Sequence, residues 1–152
     1  MNTPVNGESD DANEQSQSTA DPTLEALFRE SEILNADCRF EAADALILAS
    51  MRDRPLEAKL AEQLTDLALQ RGDWRSAKQR ANSLRRDFPD EQAGYRLGFI
   101  AEMELLHLGK AVELQRDAAS RFAHESWPLA FAAILAELRQ NYTAAEIGRA
   151  HV

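Results

Sequence analysis

Gly72-Asp73-Trp74-Arg75-Ser76-Ala77 joins two amphipathic segments, and Pro89 closes the second of them. Gly72 suits a tight turn, Asp73 is placed to accept hydrogen bonds from the free amides of a starting helix, and Pro89 cannot continue one. Between them Ala77, Ala81, Leu84 and Phe88 form an apolar stripe, with Arg75, Lys78, Asn82 and Arg86 on the other side. That spacing predicts a helix with one buried face and one wet face. The pattern recurs in both directions. Phe40, Trp74, Leu108 and Tyr142 follow one another at intervals of 34 residues. The same register aligns Ala43, Ala77, Ala111 and Ala145, pairs Pro55 with Pro89 and Phe88 with Phe122, and matches Leu27, Ala61, Tyr95 and Leu129. A fixed period of this length is the mark of stacked, self-similar units.

Each unit is expected to be a hairpin of two antiparallel helices, A and B. The large residue opening helix B fills the gap between the two, and the alanine three residues on allows helix A to cross closely. Pro55 and Pro89 end a helix B, since proline lacks the amide a helix interior needs. Asp21-Pro22 and Ser126-Trp127-Pro128 read as helix starts, and Asp73 and Asp90 as N-caps. Leu24, Leu27, Phe28, Ser31 and Leu34 lie on one face of the first helix. The units run over about 22–55, 56–89, 90–123 and 124–152, the last incomplete.

These positions resemble the tetratricopeptide repeat (TPR). The unit from Leu56 to Pro89 matches best, while Arg39-Phe40-Glu41-Ala42-Ala43 and Tyr142-Thr143-Ala144-Ala145 are weaker copies of its turn. The resemblance covers residues 22–152 and implies an all-α, right-handed superhelical stack of about 3.5 repeats. This chain departs from the pattern in places. Leu64-Thr65 lacks the family's Leu-Gly pair, Leu97-Gly98 sits one residue out of register, and Gly109 comes late, which predicts a distorted third turn. By that resemblance the concave groove is lined by helix A residues, here Phe28, Asn35, Glu62, Asp66, Arg96, Ile100, Met103 and Ile134. The Lys and Asn clamp that some members use for a terminal carboxylate is missing. Phe28, Ser31, Glu32, Glu62, Asp66 and Arg96 stand in its place. The implied function is binding a protein or peptide with apolar and basic character, without catalysis or cofactor. More weakly, Phe88-Pro89-Asp90 through Gly94-Tyr95 is similar to repeats that precede bacterial sulfotransferase or glycosyltransferase domains, so the alternative is a repeat module of a longer enzyme.

Composition agrees with helices. Apolar residues make up 44% of the 152, with only six Gly and five Pro, and the abundant Ala, Leu, Glu, Arg and Gln lose little freedom in a helix. The net charge of -9 is concentrated in residues 1–21, where five carboxylates and no Lys or Arg give -5. Such a polar, acidic tail is expected to be disordered. The remaining -4 does not describe a nucleic-acid binder. The start is neither basic nor apolar, no run approaches membrane-spanning length, and the single Cys38 has no partner for a disulfide. The reading is cytoplasmic, with no membrane or nucleic-acid partner.

No catalytic grouping stands out. His107, His124 and His151 are scattered, Cys38 aligns with Gly72 in a turn, and Glu30/Glu32 and Glu102/Glu104 read as surface pairs. Arg71, Arg75, Lys78, Arg80, Arg85 and Arg86 make one helix basic. They read as a solvated face, with docking of the acidic tail as the sharper alternative, which rising salt should loosen.

The final seven residues, Glu146-Ile147-Gly148-Arg149-Ala150-His151-Val152, back-translate as GAG ATC GGA AGA GCA CAC GTC. This resembles the opening of a widely used sequencing adapter whose next codon is a stop. The expectation is that residues 146–152 are non-native, that the gene continues, and that the fourth unit breaks off inside its helix B. Recurrence of those codons in an independent genomic clone contradicts it. Without a polar capping helix, the edge around Phe131, Ile134, Leu135 and Leu138 is expected to expose apolar surface and self-associate.

Overall fold

In a computed structural model, residues 21–150 are described and fold as seven helices. The tail expected to be disordered over 1–21 lies, Asp21 apart, outside the described residues, as does His151. The helices are α1 (Pro22–Ala36), α2 (Phe40–Asp53), α3 (Ala58–Gln70), α4 (Trp74–Asp87), α5 (Ala93–Glu104), α6 (Leu108–Arg121) and α7 (Trp127–Ala150). Each packs on the next, and α3 also touches α1 and α5. Such neighbour-only packing is what an all-α solenoid requires. Three hairpins, α1–α2, α3–α4 and α5–α6, are complete.

The turn inside each hairpin repeats in atomic detail. Cys38, Gly72 and Leu106, 34 residues apart, take the left-handed backbone with φ of 60°, 74° and 59°. The residue after each donates its amide back to the last turn of the helix: Arg39 to Leu34 O, Asp73 to Ala68 O and His107 to Glu102 O, all at 2.9 Å. These six-to-one bonds satisfy carbonyls that a helix end otherwise leaves unpaired. The helix B ends repeat as well. The amides of Arg54, Phe88 and Phe122 bond Ser50, Leu84 and Ala118, and those of Glu57, Glu91 and Glu125 bond Arg54, Phe88 and Phe122.

The third turn is therefore not distorted. Leu106, not Gly109, reverses the chain, and Gly109 lies inside α6 with nothing near the place of its Cβ. A left-handed conformation costs a non-glycine residue about 1–2 kcal/mol. Leu106 is largely exposed, so its side chain returns little of that. Leu106→Gly should raise stability by about 1 kcal/mol, and Gly72→Ala should lower it by about as much. Urea midpoints of the two variants check both signs.

The alanines sit where the physics puts them. Ala43, Ala77 and Ala111 are each wholly buried (0% exposed), Ala43 in a cluster with Ile47 and Leu60 and Ala77 in one with Ala68 and Ala101. The bulky openers Phe40, Trp74 and Leu108 keep part of their surface. Pro55 and Pro89 follow the C-caps Arg54 and Phe88 of α2 and α4, and Trp127-Pro128 opens α7. Asp21 and Asp73 cap α1 and α4, accepting from Thr23 N at 2.9 Å and Ser76 N at 3.2 Å. Asp90 is not a cap. Phe88 through Glu91 forms a turn, and α5 begins only at Ala93, after Gln92.

The fourth hairpin also departs from expectation. No turn forms at Gln140-Asn141, and α7 runs unbroken for 24 residues, so Tyr142 and Ala145 are exposed positions on one long helix. Neither Gly nor Pro interrupts Leu129–Ile147, and Gln140, Ala144 and Ala145 favour helix. Leu106 is held left-handed by the packing of α6 back on α5; no packed helix follows Gln140 among the described residues.

One core cluster gathers Ala43, Ile47, Leu60, Leu64 and Leu67 beneath α1, with Leu24, Leu27, Phe28 and Leu34 packed against it. Toward α7 the packing becomes aromatic. Phe99 stacks on Phe131 with centroids 4.1 Å apart, and Trp127 meets Phe131 edge-on at 5.2 Å. Between α4 and α5, Gly94 and Gly98 make room for Arg85. A Cβ at Gly94 would stand 2.7 Å from Arg85 Cγ and 3.0 Å from its backbone nitrogen, so Arg85 would have to shift.

Candidate functional site

The odd helices share one face, and there the structure brings together four of the eight expected groove residues. Phe28 of α1, Glu62 and Asp66 of α3 and Arg96 of α5 line one cleft of about 350 Å³, with Lys59, Gln63, Ala93 and Leu97 completing its wall. One helical turn separates Glu62 from Asp66, so their carboxylates stand side by side on α3. Lys59 Nζ lies 3.5 Å from Glu62, and Gln70 donates to Asp66 at 2.7 Å. Gln63 is buried and donates to Ser31 Oγ at 3.2 Å, which fixes α3 against α1. Arg96 is exposed, and among the described residues no carboxylate lies within ion-pair distance of it.

Ile100, Met103 and Ile134 do not line this cleft. Ile100 and Ile134 are exposed, Met103 is half-buried, and the first two continue the register of Asp66 at 34-residue steps. The helix A face thus passes from acidic side chains (Glu32, Glu62, Asp66) through Arg96 to apolar ones. Asn35 was expected in the groove but is buried. Its amide donates to Leu67 O at 3.2 Å and its oxygen accepts from Arg71, so it stitches the first two units together. A polar residue in a helix A register therefore reads equally as groove or as seam. Only the neighbouring helix distinguishes the two.

The basic helix α4 is not a freely solvated face. Arg71, just before the turn, forms a two-pronged pair with Asp44 of α2 at 2.9 and 2.8 Å. Arg80 reaches the same carboxylate at 2.6 Å and donates to Leu64 O at 2.7 Å. Burial pushes the Asp44 carboxyl up, but the hydrogen bonds and charges of the two arginines outweigh it and hold it below the usual carboxylate range. Lys78 pairs with the buried Glu102 at 3.4 Å, and His107 Nδ1 lies 2.9 Å from that same carboxylate. Arg85 donates to Gly94 O at 3.0 Å and to Asn82; burial lowers its pKa from the usual arginine value. Arg86 pairs with Asp87, which leaves Arg75 as the exposed cation of the six without an ion pair among the described residues. The sequence signal for Asp44 was present: a carboxylate beside the recurring small position, Ala43, in a helix otherwise apolar on that side. Glu102, read as half of a surface pair, is an interior anchor instead.

Cys38 is exposed in its turn and His124 is exposed near the start of α7. Among the described residues no three His, Cys, Asp or Glu side chains gather as a metal site would need, and no helix is long and apolar enough to cross a membrane. A cleft of about 930 Å³ lies between α6 and α7, away from the expected groove.

No protein-family model and no curated protein matches this chain. Among solved structures, a thermophilic TPR protein from Thermus thermophilus superposes with a TM-score of 0.61 at 19% identity, over 81% of this chain and 69% of that one. Similarity at that identity speaks for architecture, and it agrees with the 34-residue repetition of turns, caps and buried alanines. The chain has the fold of a tetratricopeptide-type array of helix hairpins.

Proposed function

We propose that this chain is a protein-interaction scaffold that holds a peptide segment along the face shared by α1, α3 and α5, with basic side chains over Glu62 and Asp66 and apolar ones toward Ile100 and Ile134. The observation that carries this reading is the cleft in which Phe28, Glu62, Asp66 and Arg96 converge. Two carboxylates one turn apart, beside an aromatic ring, favour a cation on an apolar stem. Arginine and lysine side chains have that form. Arg96 is placed to take a carboxylate or a main-chain carbonyl of the same segment.

The test is fluorescence anisotropy with labelled peptides that alternate Lys or Arg with Leu, against acidic peptides of the same length. Basic-apolar peptides should bind and acidic ones should not. Glu62→Lys with Asp66→Lys should weaken binding by at least tenfold, about 1.4 kcal/mol, while helix content stays unchanged. Equal binding of both peptide classes, or no effect of the double reversal, contradicts the reading.

The resemblance of Phe88–Tyr95 to repeats preceding bacterial transferase domains supports a second reading, in which the array positions a catalytic domain encoded farther along the gene. Genomic sequence beyond the Ala145 codon separates the two. A long α/β continuation favours the enzyme module, and a stop after one further helix favours the free adaptor.

A further inference from the structure

We propose that the cleft between α6 and α7 receives the Tyr142–Ala150 half of α7 from a second copy of this chain, so that two copies exchange their fourth helix B. Three observations meet here. First, residues 142–145 carry the signature of a helix B, Tyr142 and Ala145 in register with Trp74 and Ala77, yet all four are exposed. Second, the hinge has opened. The residues preceding Gln140 at 34-residue steps, Cys38, Gly72 and Leu106, turn the chain back, whereas Gln140 is helical and α7 carries the segment straight on. Third, the surface that a fourth helix B would cover is bare. In the third unit Gly98, Ala101 and Glu102 are buried, but their counterparts Ala132, Leu135 and Ala136 line the open cleft of about 930 Å³ together with Leu108 and Val112 of α6, while Tyr142, Thr143, Ala144 and Ile147 of the same α7 edge it beyond the hinge.

The cleft continues the interface that helix A and helix B already make in each complete hairpin. The segment best matched to it is the one that bears the helix B signature. That signature, Tyr142–Ala145, precedes the adapter-like codons. A hinge that straightens to merge two helices is the usual route to domain exchange, and a two-fold axis near Asn141 lets each copy donate and receive the same segment.

The 152-residue chain should sediment at twice its 17.0 kDa mass at high micromolar concentration. Gln140→Gly with Asn141→Asp installs the Gly72-Asp73 pair at the hinge and should convert the dimer to a monomer of unchanged helix content. Mixing Val112→Cys with Thr143→Cys protein, each in a Cys38→Ser background, should give a disulfide-linked heterodimer under mild oxidation, and this reads the exchange even if the hinge variant fails to fold. A monomeric parent chain, a dimer that survives the hinge pair, or a mixture that does not cross-link overturns the proposal. Dimerisation by end-to-end stacking without exchange would give the second of these results.

Discussion

Replacing Ala43, Ala77 or Ala111 by leucine should lower stability by about 3 kcal/mol each, while the same change at Ala145, measured on the dilute monomer, should stay within about 0.5 kcal/mol. The first three have no exposed surface and lie on helices packed against their neighbours. Three added carbons can be accommodated there only by prising the helices apart or forcing rotamers. Cores resist both, because they are packed as densely as organic crystals. Ala145 holds the same place in the 34-residue register but is exposed on α7, so a leucine there meets solvent. Urea denaturation of the four variants is the check. In the dilute monomer, equal sensitivity at all four positions would mean that the fourth hairpin closes within one chain, and indifference at the first three would mean that those alanines are not confined.

Asp44→Ala should cost about 2 kcal/mol, because it strips two arginines of their shared carboxylate at the seam between the first and second units. The cost stays below that of a fully buried pair because water reaches the edge of the cluster. The sign of the pH effect follows from the carboxyl itself, which is held below its ordinary value in the folded chain. Its contribution is complete above the unfolded-state pKa and is lost as pH falls through the depressed folded value. The parent chain should therefore lose stability faster than Asp44→Ala as pH drops below about 4. Thermal melts of both proteins from neutral to acidic pH measure this, and parallel curves would show that the cluster contributes nothing.

Much of this architecture could be read in advance because its causes are local and recur. Proline, a bulky helix opener and a small crossing residue act within one hairpin, so their spacing in the chain is their spacing in the structure. The left-handed turn at Leu106 escaped for the opposite reason. Leucine has no preference for that conformation, and it is held there by the packing of α6, a tertiary cause invisible at the residue. Asp90 shows the same limit: its spacing fits a cap, but the turn at Phe88–Glu91 starts α5 later. At the candidate site, register placed Phe28, Glu62, Asp66 and Arg96 on one face, since that is a property of helix geometry. It could not separate Asn35 or foresee the shared use of Asp44 by Arg71 and Arg80. Those depend on which neighbour a side chain reaches across the seam.

Backbone chemical shifts of the isotopically labelled chain test the repetition most directly. Cys38, Gly72 and Leu106 should each report a positive φ between two helices, and Gln140 should report helix continuing on both sides. Helical shifts running through Leu106, or a break at Gly109 in its place, would contradict hairpins that recur at a constant interval.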